Sequence, residues 1–133
     1  MAEFPTQDWL TAFEEKLNTD QQYAEIAKNW EGDIIFSIHP DGKLDKQIEI
    51  YLDLWHGQCR DAYFIENGSN QPAAFILAGD YDDFVRILTG ELHPMQAMLT
   101  RKLRVKGSMT YLMRNVPVVL DFVRCAKEIT ANN

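Results

Sequence analysis

Gln47-Ile48-Glu49-Ile50-Tyr51-Leu52-Asp53-Leu54 alternates its side chains at every step. Successive residues of a strand point to opposite faces, so Ile48, Ile50, Leu52 and Leu54 share one side and Gln47, Glu49, Tyr51 and Asp53 the other. Outward from this strand the pattern repeats. In Ile34-Ile35-Phe36-Ser37-Ile38, residues Ile34, Phe36 and Ile38 fall on one face. The two runs are joined through Pro40-Asp41-Gly42-Lys43, where proline sets φ and glycine tolerates the positive φ of a tight turn. On the other side, His56-Gly57-Gln58 turns the chain back into Ala62-Tyr63-Phe64-Ile65. Three consecutive strands with short connections predict an antiparallel meander.

The flanks read as helices and two more strands. Thr6 to Leu17 carries Trp9, Leu10, Phe13 and Leu17 at helical spacing, with Thr6 as the N-cap. A second helix is expected from about Asp20 to Asn29, opened by a capping box in Thr19-Asp20-Gln21-Gln22 and striped with Tyr23, Ile26, Ala27 and Trp30. After the meander comes a loop, Asn67-Gly68-Ser69-Asn70-Gln71-Pro72, then a fourth strand over Ala73 to Ala78. Asp80 is placed to cap the helix of Phe84, Ile87 and Leu88, which stops at Gly90. Pro94 suits the first turn of another short helix. Leu103 to Lys106 is a fifth strand, with Leu103 and Val105 inward and Arg104 and Lys106 outward. The last apolar region is expected to split at Pro117, which fits the start of a second helix. The sum is an α+β domain: a sheet of roughly five strands, covered by helices on one face.

A chain of 133 residues fits one domain over 1–133 with one core. No run approaches the roughly 18 apolar residues of a membrane span. The start, Met-Ala-Glu-Phe-Pro, is not a signal peptide, and Thr130-Ala131-Asn132-Asn133 carries no lipidation address, so the cytoplasm is the expected compartment. Cys59 and Cys125 form no metal-binding or redox spacing and read as free thiols. A net charge of −7 argues against nucleic acid as a partner. The charge is uneven: Arg101, Lys102, Arg104, Lys106, Arg114, Arg124 and Lys127 crowd the last third, either as a solvated surface or as a patch for an anionic headgroup or phosphate. His39, His56 and His93 each border a turn, share no metal-ligand spacing and follow no nucleophile motif. No phosphate loop or nucleophile elbow is present, and no catalytic residue, metal or cofactor is assigned.

Between Phe75 and Val123 four pieces follow in order: Ala78-Gly79-Asp80; Asp83-Phe84 with Ile87-Leu88-Thr89-Gly90-Glu91-Leu92; Pro94-Met95-Gln96-Ala97-Met98-Leu99; and Lys102-Leu103-Arg104-Val105-Lys106-Gly107-Ser108-Met109. Together they resemble the sterol carrier protein (type 2) lipid-binding family. The resemblance covers about 50 residues in its motifs and nearly the whole chain in its element order. Family members often carry Gly where this chain has Arg101, and Asp or Asn where it has Ser108. The resemblance implies an apolar tunnel between sheet and helices and non-catalytic binding of a fatty acid, fatty acyl-CoA, phospholipid or sterol.

The residues are compatible with that. Met95, Met98, Met109 and Met113 cluster in sequence, and methionine adapts to varied apolar shapes. Beside them stand Phe84, Leu88, Leu99, Leu103, Val105, Leu112 and Val116. These eleven are the expected ligand lining, although plain core packing accounts for them as well. Arg101, Lys102 and Arg104 are the headgroup candidates. The partner is then a lipid or other apolar small molecule, with transient contact to a membrane surface. Two alternatives stand: an interaction module of the same fold with a filled tunnel and an apolar helical surface for dimerisation or partner binding, and a small enzyme on a lipid-like substrate with a histidine base.

Overall fold

The computed structural model describes residues 1–66 and 69–131. Asn67 and Gly68 of the expected loop, and Asn132 and Asn133, lie outside the described residues. The elements run α1 (Gln7–Thr19), α2 (Gln21–Ile26), β1 (Ile34–His39), β2 (Ile48–Trp55), β3 (Gln58–Phe64), β4 (Phe75–Asp80), α3 (Tyr81–Leu88), α4 (Pro94–Leu99), β5 (Leu103–Lys106), α5 (Met109–Arg114) and α6 (Val116–Ile129).

The sheet order is β3-β2-β1-β4-β5. β1, β2 and β3 form the antiparallel meander. The chain then passes back across β2 and β1, so β4 lies parallel to β1, with Phe36 opposite Leu77, and β5 pairs antiparallel to β4 at the edge. The sheet is therefore mixed. The β2–β3 reversal has positive φ at both central residues, 50° at His56 and 81° at Gly57, as a two-residue type I′ hairpin requires. A Cβ on Gly57 would sit 2.8 Å from the Ala24 carbonyl oxygen, so α2 packs directly on this turn.

Alternation decides which face is covered. Ile34, Phe36, Ile38, Ile50, Leu52 and Leu54 are buried on the inner face beneath the helices. Glu49, Tyr51, Tyr63, Arg104 and Lys106 occupy the other face by register. α1 is anchored by Trp9, Leu10, Phe13 and Leu17, all essentially inaccessible. Thr6 caps it, its hydroxyl oxygen accepting from the Trp9 N–H at 3.2 Å. The buried Trp9 indole N–H donates to the Thr130 hydroxyl at 2.8 Å, tying α1 to the end of α6.

Several local expectations are corrected. The capping box at Thr19 does not form, because α1 extends through Thr19, whose hydroxyl donates to the Glu15 carbonyl. Asp20 caps α2 instead, accepting from the Tyr23 N–H at 2.8 Å, and Gln22 donates to Asp121. α2 ends at Ile26, not Asn29, and leaves Ile26 exposed. The Asp80 side chain makes no cap bond to α3, and the Asp82 N–H donates to Asp41 at 3.4 Å. The last region does split: α5 ends at Arg114, and Pro117 stands in the first turn of α6.

Candidate functional site

The inner sheet face and the helices enclose a cavity of about 70 Å³. Strands contribute Ile34, Phe36, Leu54, Phe75, Leu77 and Leu103 because each is an inward position of its strand. α3 contributes Phe84, Ile87 and Leu88, and α4 contributes Met98. α5 adds Leu112, and α6 adds Val118, Phe122 and Ala126. Aromatic rings shape the walls. Phe36 lies 5.7 Å from Phe84 and 6.0 Å from Phe122, and Trp30 lies 5.0 Å from Tyr111 and 5.6 Å from Phe75, centroid to centroid.

No polar atom of the described residues is exposed on that wall. A polar group taken inside would lose its hydrogen bonds to water without compensation, so the space favours hydrocarbon. Titratable groups nearby are held neutral. Burial, reinforced by Cys59 and Cys125, raises the Tyr23 phenol. Burial likewise pushes the Cys59 and Cys125 thiols up to about 12. Both cysteines are free.

Of the eleven expected lining residues, the structure brings Phe84, Leu88, Met98, Leu103 and Leu112 to the cavity. Met95 and Val105 are half-buried against the core outside its wall, and Val116 is half-buried. Leu99, Met109 and Met113 point outward, with fractional exposures of 79%, 45% and 55%. α4 and α5 each turn one face toward the core, with Ala97 and Met98 buried on α4 and Leu112 on α5, and Leu99, Met109 and Met113 fall outside those faces. Arg101, Lys102 and Arg104 are exposed and line no part of the cavity. What stands where a tunnel was expected is this cavity of about 70 Å³. Sequence reasoning missed much of its wall, including Phe4, Trp9, Tyr23 and Trp30. Their apolar spacing was visible, but core and cavity residues share it.

The cation patch also loses a member. Arg124 bonds Asp20, Asp121 and Glu128, at 2.6, 2.8 and 3.0 Å, binding α6 to the start of α2. Asp20, Asp121 and Cys125 bring potential ligand atoms within 4.8 Å of one another. They do not suit a metal ion: Arg124 already occupies both carboxylates, and the Cys125 thiol resists ionisation. His93 caps α4, its Nδ1 accepting from the Met95 N–H, and His56 lies 2.6 Å from Glu31 on the surface. Among the described residues no helix is long and apolar enough to cross a membrane.

Comparisons with known proteins agree with this architecture. A crystal structure of sterol carrier protein 2 is 32% identical, covers 95% of this chain and 98% of its own, and superposes with a TM-score of 0.85. A solution structure of a conserved hypothetical protein from Thermus thermophilus is 31% identical, with coverages of 96% and 90% and a TM-score of 0.84. Sterol carrier protein-2 from Aedes aegypti, solved in complex with the C16 fatty acid palmitate, shares the fold at 20% identity, with coverages of 89% and 93% and a TM-score of 0.56. No curated protein matches the chain in sequence. The profile of the SCP-2 sterol transfer family matches residues 10–119, and the chain belongs to that family.

Proposed function

We propose that this protein binds and carries an apolar ligand, a fatty acid, fatty acyl-CoA, phospholipid or sterol, and performs no chemistry on it. The observation that carries this reading is the cavity wall, which exposes no polar atom of the described residues. Each CH₂ moved from water into such a space contributes roughly 0.8 kcal/mol, so an acyl chain can be held without a reactive group. The family and the palmitate complex of a protein with the same fold support it. A cavity of about 70 Å³ is smaller than the engineered 150 Å³ space that accepts benzene, so loading requires side chains to move apart. Met98 is suited to this, being unbranched. Phe84, Leu88, Met98, Leu103 and Leu112 contact the ligand first. Met95, Val105 and Val116 are reached as the space widens, and Leu99, Met109 and Met113 lie beyond the wall. Arg101, Lys102 and Arg104 serve a headgroup only if it emerges beside β5.

Native mass spectrometry of the purified protein, followed by organic extraction, tests the reading. A retained or acquired lipid mass supports it. Ala126→Leu, which extends a cavity-wall side chain inward, is expected to weaken uptake of a fluorescent fatty acid by at least about tenfold. A polypeptide still bare after incubation with fatty acid, phospholipid and sterol favours the second reading. In that reading the protein is an interaction module using the exposed Leu99, Met109 and Met113.

A further inference from the structure

From Leu92 to Leu120 the chain carries five of its thirteen basic residues and none of its twenty acidic ones. The fold does not disperse this stretch. It forms α4, the edge strand β5 and α5, with the two short helices at either end of the strand. Arg101, Lys102, Arg104, Lys106 and Arg114 are all exposed, and among the described residues none of them makes an ion pair. The three most outward-facing large apolar side chains after Met1, those of Leu99, Met113 and Met109, belong to the same stretch. Unpaired cations interleaved with exposed hydrocarbon suit lipid phosphates over an acyl layer, and on a chain of net charge −7 they stand apart from an otherwise acidic sequence.

We infer that the α4–β5–α5 edge docks on an anionic phospholipid surface, with Leu99, Met109 and Met113 entering the headgroup boundary and the flanking Lys and Arg side chains reaching lipid phosphates. Long cationic side chains reach such groups while their stems lie along apolar surface. Charge complementarity selects this edge. At the opposite edge of the sheet, β3 and its neighbour β2 carry Asp53 and Asp61 with Arg60, whose guanidinium is already bound to Asp53 at 3.0 Å, so that edge offers an anionic surface no unpaired cation among the described residues. α1 offers no alternative, because its apolar stripe is consumed in the core. The docked elements also hold cavity-wall residues: Met98 precedes Leu99, Leu103 lies between Lys102 and Arg104, and Leu112 precedes Met113. Docking thus places cavity-wall residues directly beside the side chains that meet the bilayer. The purpose of the surface rests on the lipid-carrier reading; its geometry does not.

Co-flotation of the full chain with vesicles tests this. Vesicles of phosphatidylcholine mixed with phosphatidylglycerol are compared with phosphatidylcholine alone, and fatty-acid uptake from solution is measured on the same samples. The expected result is retention on the anionic vesicles, weakened by salt, and none on the neutral ones. The double variant K102E/R104E is expected to lower retention by more than about tenfold. Leu99→Ser with Met113→Ser is expected to lower it at unchanged charge. Lys46→Glu, on the connection between β1 and β2, is expected to retain most of it. Absence of flotation with anionic vesicles, or flotation indifferent to the edge substitutions, overturns the docking face even where uptake stands. Flotation that follows the edge substitutions without any uptake upholds the docking face and overturns the carrier reading.

Discussion

The Nη2 of Arg124 lies 2.6 Å from Oδ1 of Asp20, 104 residues away, and that same oxygen accepts the Tyr23 N–H that opens α2. One carboxylate therefore caps a helix and ties it to α6, with Lys16 at 3.2 Å on the other oxygen. Arg124, the Tyr23 N–H and Lys16 hold the Asp20 carboxyl well below the usual carboxylate range. An unfolded aspartate titrates near about 3.9. With the folded value depressed, the stabilisation is fully present above the unfolded value and is lost as pH falls through it toward the folded one. Asp20→Asn is expected to cost about 1–3 kcal/mol at neutral pH and to flatten the acid limb of stability. Urea denaturation across a pH series measures both; an unchanged acid limb removes the linkage.

Arg101 has φ of +61°, in the left-handed region where a side chain costs about 1–2 kcal/mol. Family members often place glycine there, and the backbone geometry explains it. Arg101→Gly is expected to raise stability by about 0.5–1 kcal/mol, the relieved strain exceeding the added freedom of the unfolded chain. The same variant is expected to bind anionic vesicles more weakly. Thermal melts and flotation on one preparation check this, and a lowered melting temperature would contradict it.

Gly57 is constrained twice, by φ of +81° and by the Ala24 carbonyl oxygen 2.8 Å from where a Cβ would sit. Gly57→Ala is expected to destabilise by at least about 1–2 kcal/mol. His56→Gly, at the other positive-φ position of the hairpin, should be close to neutral. Urea denaturation measures both, and a Gly57→Ala variant as stable as the parent would show that α2 yields to the added Cβ.

Cys59 and Cys125 are buried, and burial pushes both thiols up to about 12. Both are expected to resist a thiol-specific chromogenic reagent in the native protein at mildly alkaline pH and to react together on unfolding. Rapid native labelling of either one would show that its part of the core opens readily.

Legibility in the amino-acid sequence followed the range of the interaction. The alternation of Ile48 to Leu54, the outward Arg104 and Lys106, the hairpin at His56-Gly57 and the break before Pro117 are set by neighbours a few residues apart, and all could be read. The parallel partnership of Ile34–His39 with Phe75–Asp80 could not, because each strand shows only its own apolar face. The capping box failed on competition: Thr19 stays helical, and the charged oxygen of Asp20 takes the N–H. The candidate site divides likewise. Phe84, Leu88, Met98, Leu103 and Leu112 were identifiable from local pattern and family resemblance. Trp9, Tyr23, Trp30 and Phe36 reach the same cavity only through long-range packing, which no local spacing encodes.

The two described ends of the chain run side by side. The Ala2 N–H donates to the Ile129 carbonyl at 2.8 Å, and the Ala131 N–H donates to the Ala2 carbonyl at 2.7 Å. Ala2 and Thr130 form a parallel bridge. A short flexible linker could therefore join them, and the exposed turn at Asp41-Gly42 could be opened in exchange without cutting a helix or a strand. A circularly permuted chain beginning at Gly42 would keep every pairing of the sheet, while β1 would move from the front of the sequence to its end. If it folds, the fold is a closed circuit of contacts, indifferent to which of its exposed connections is left open.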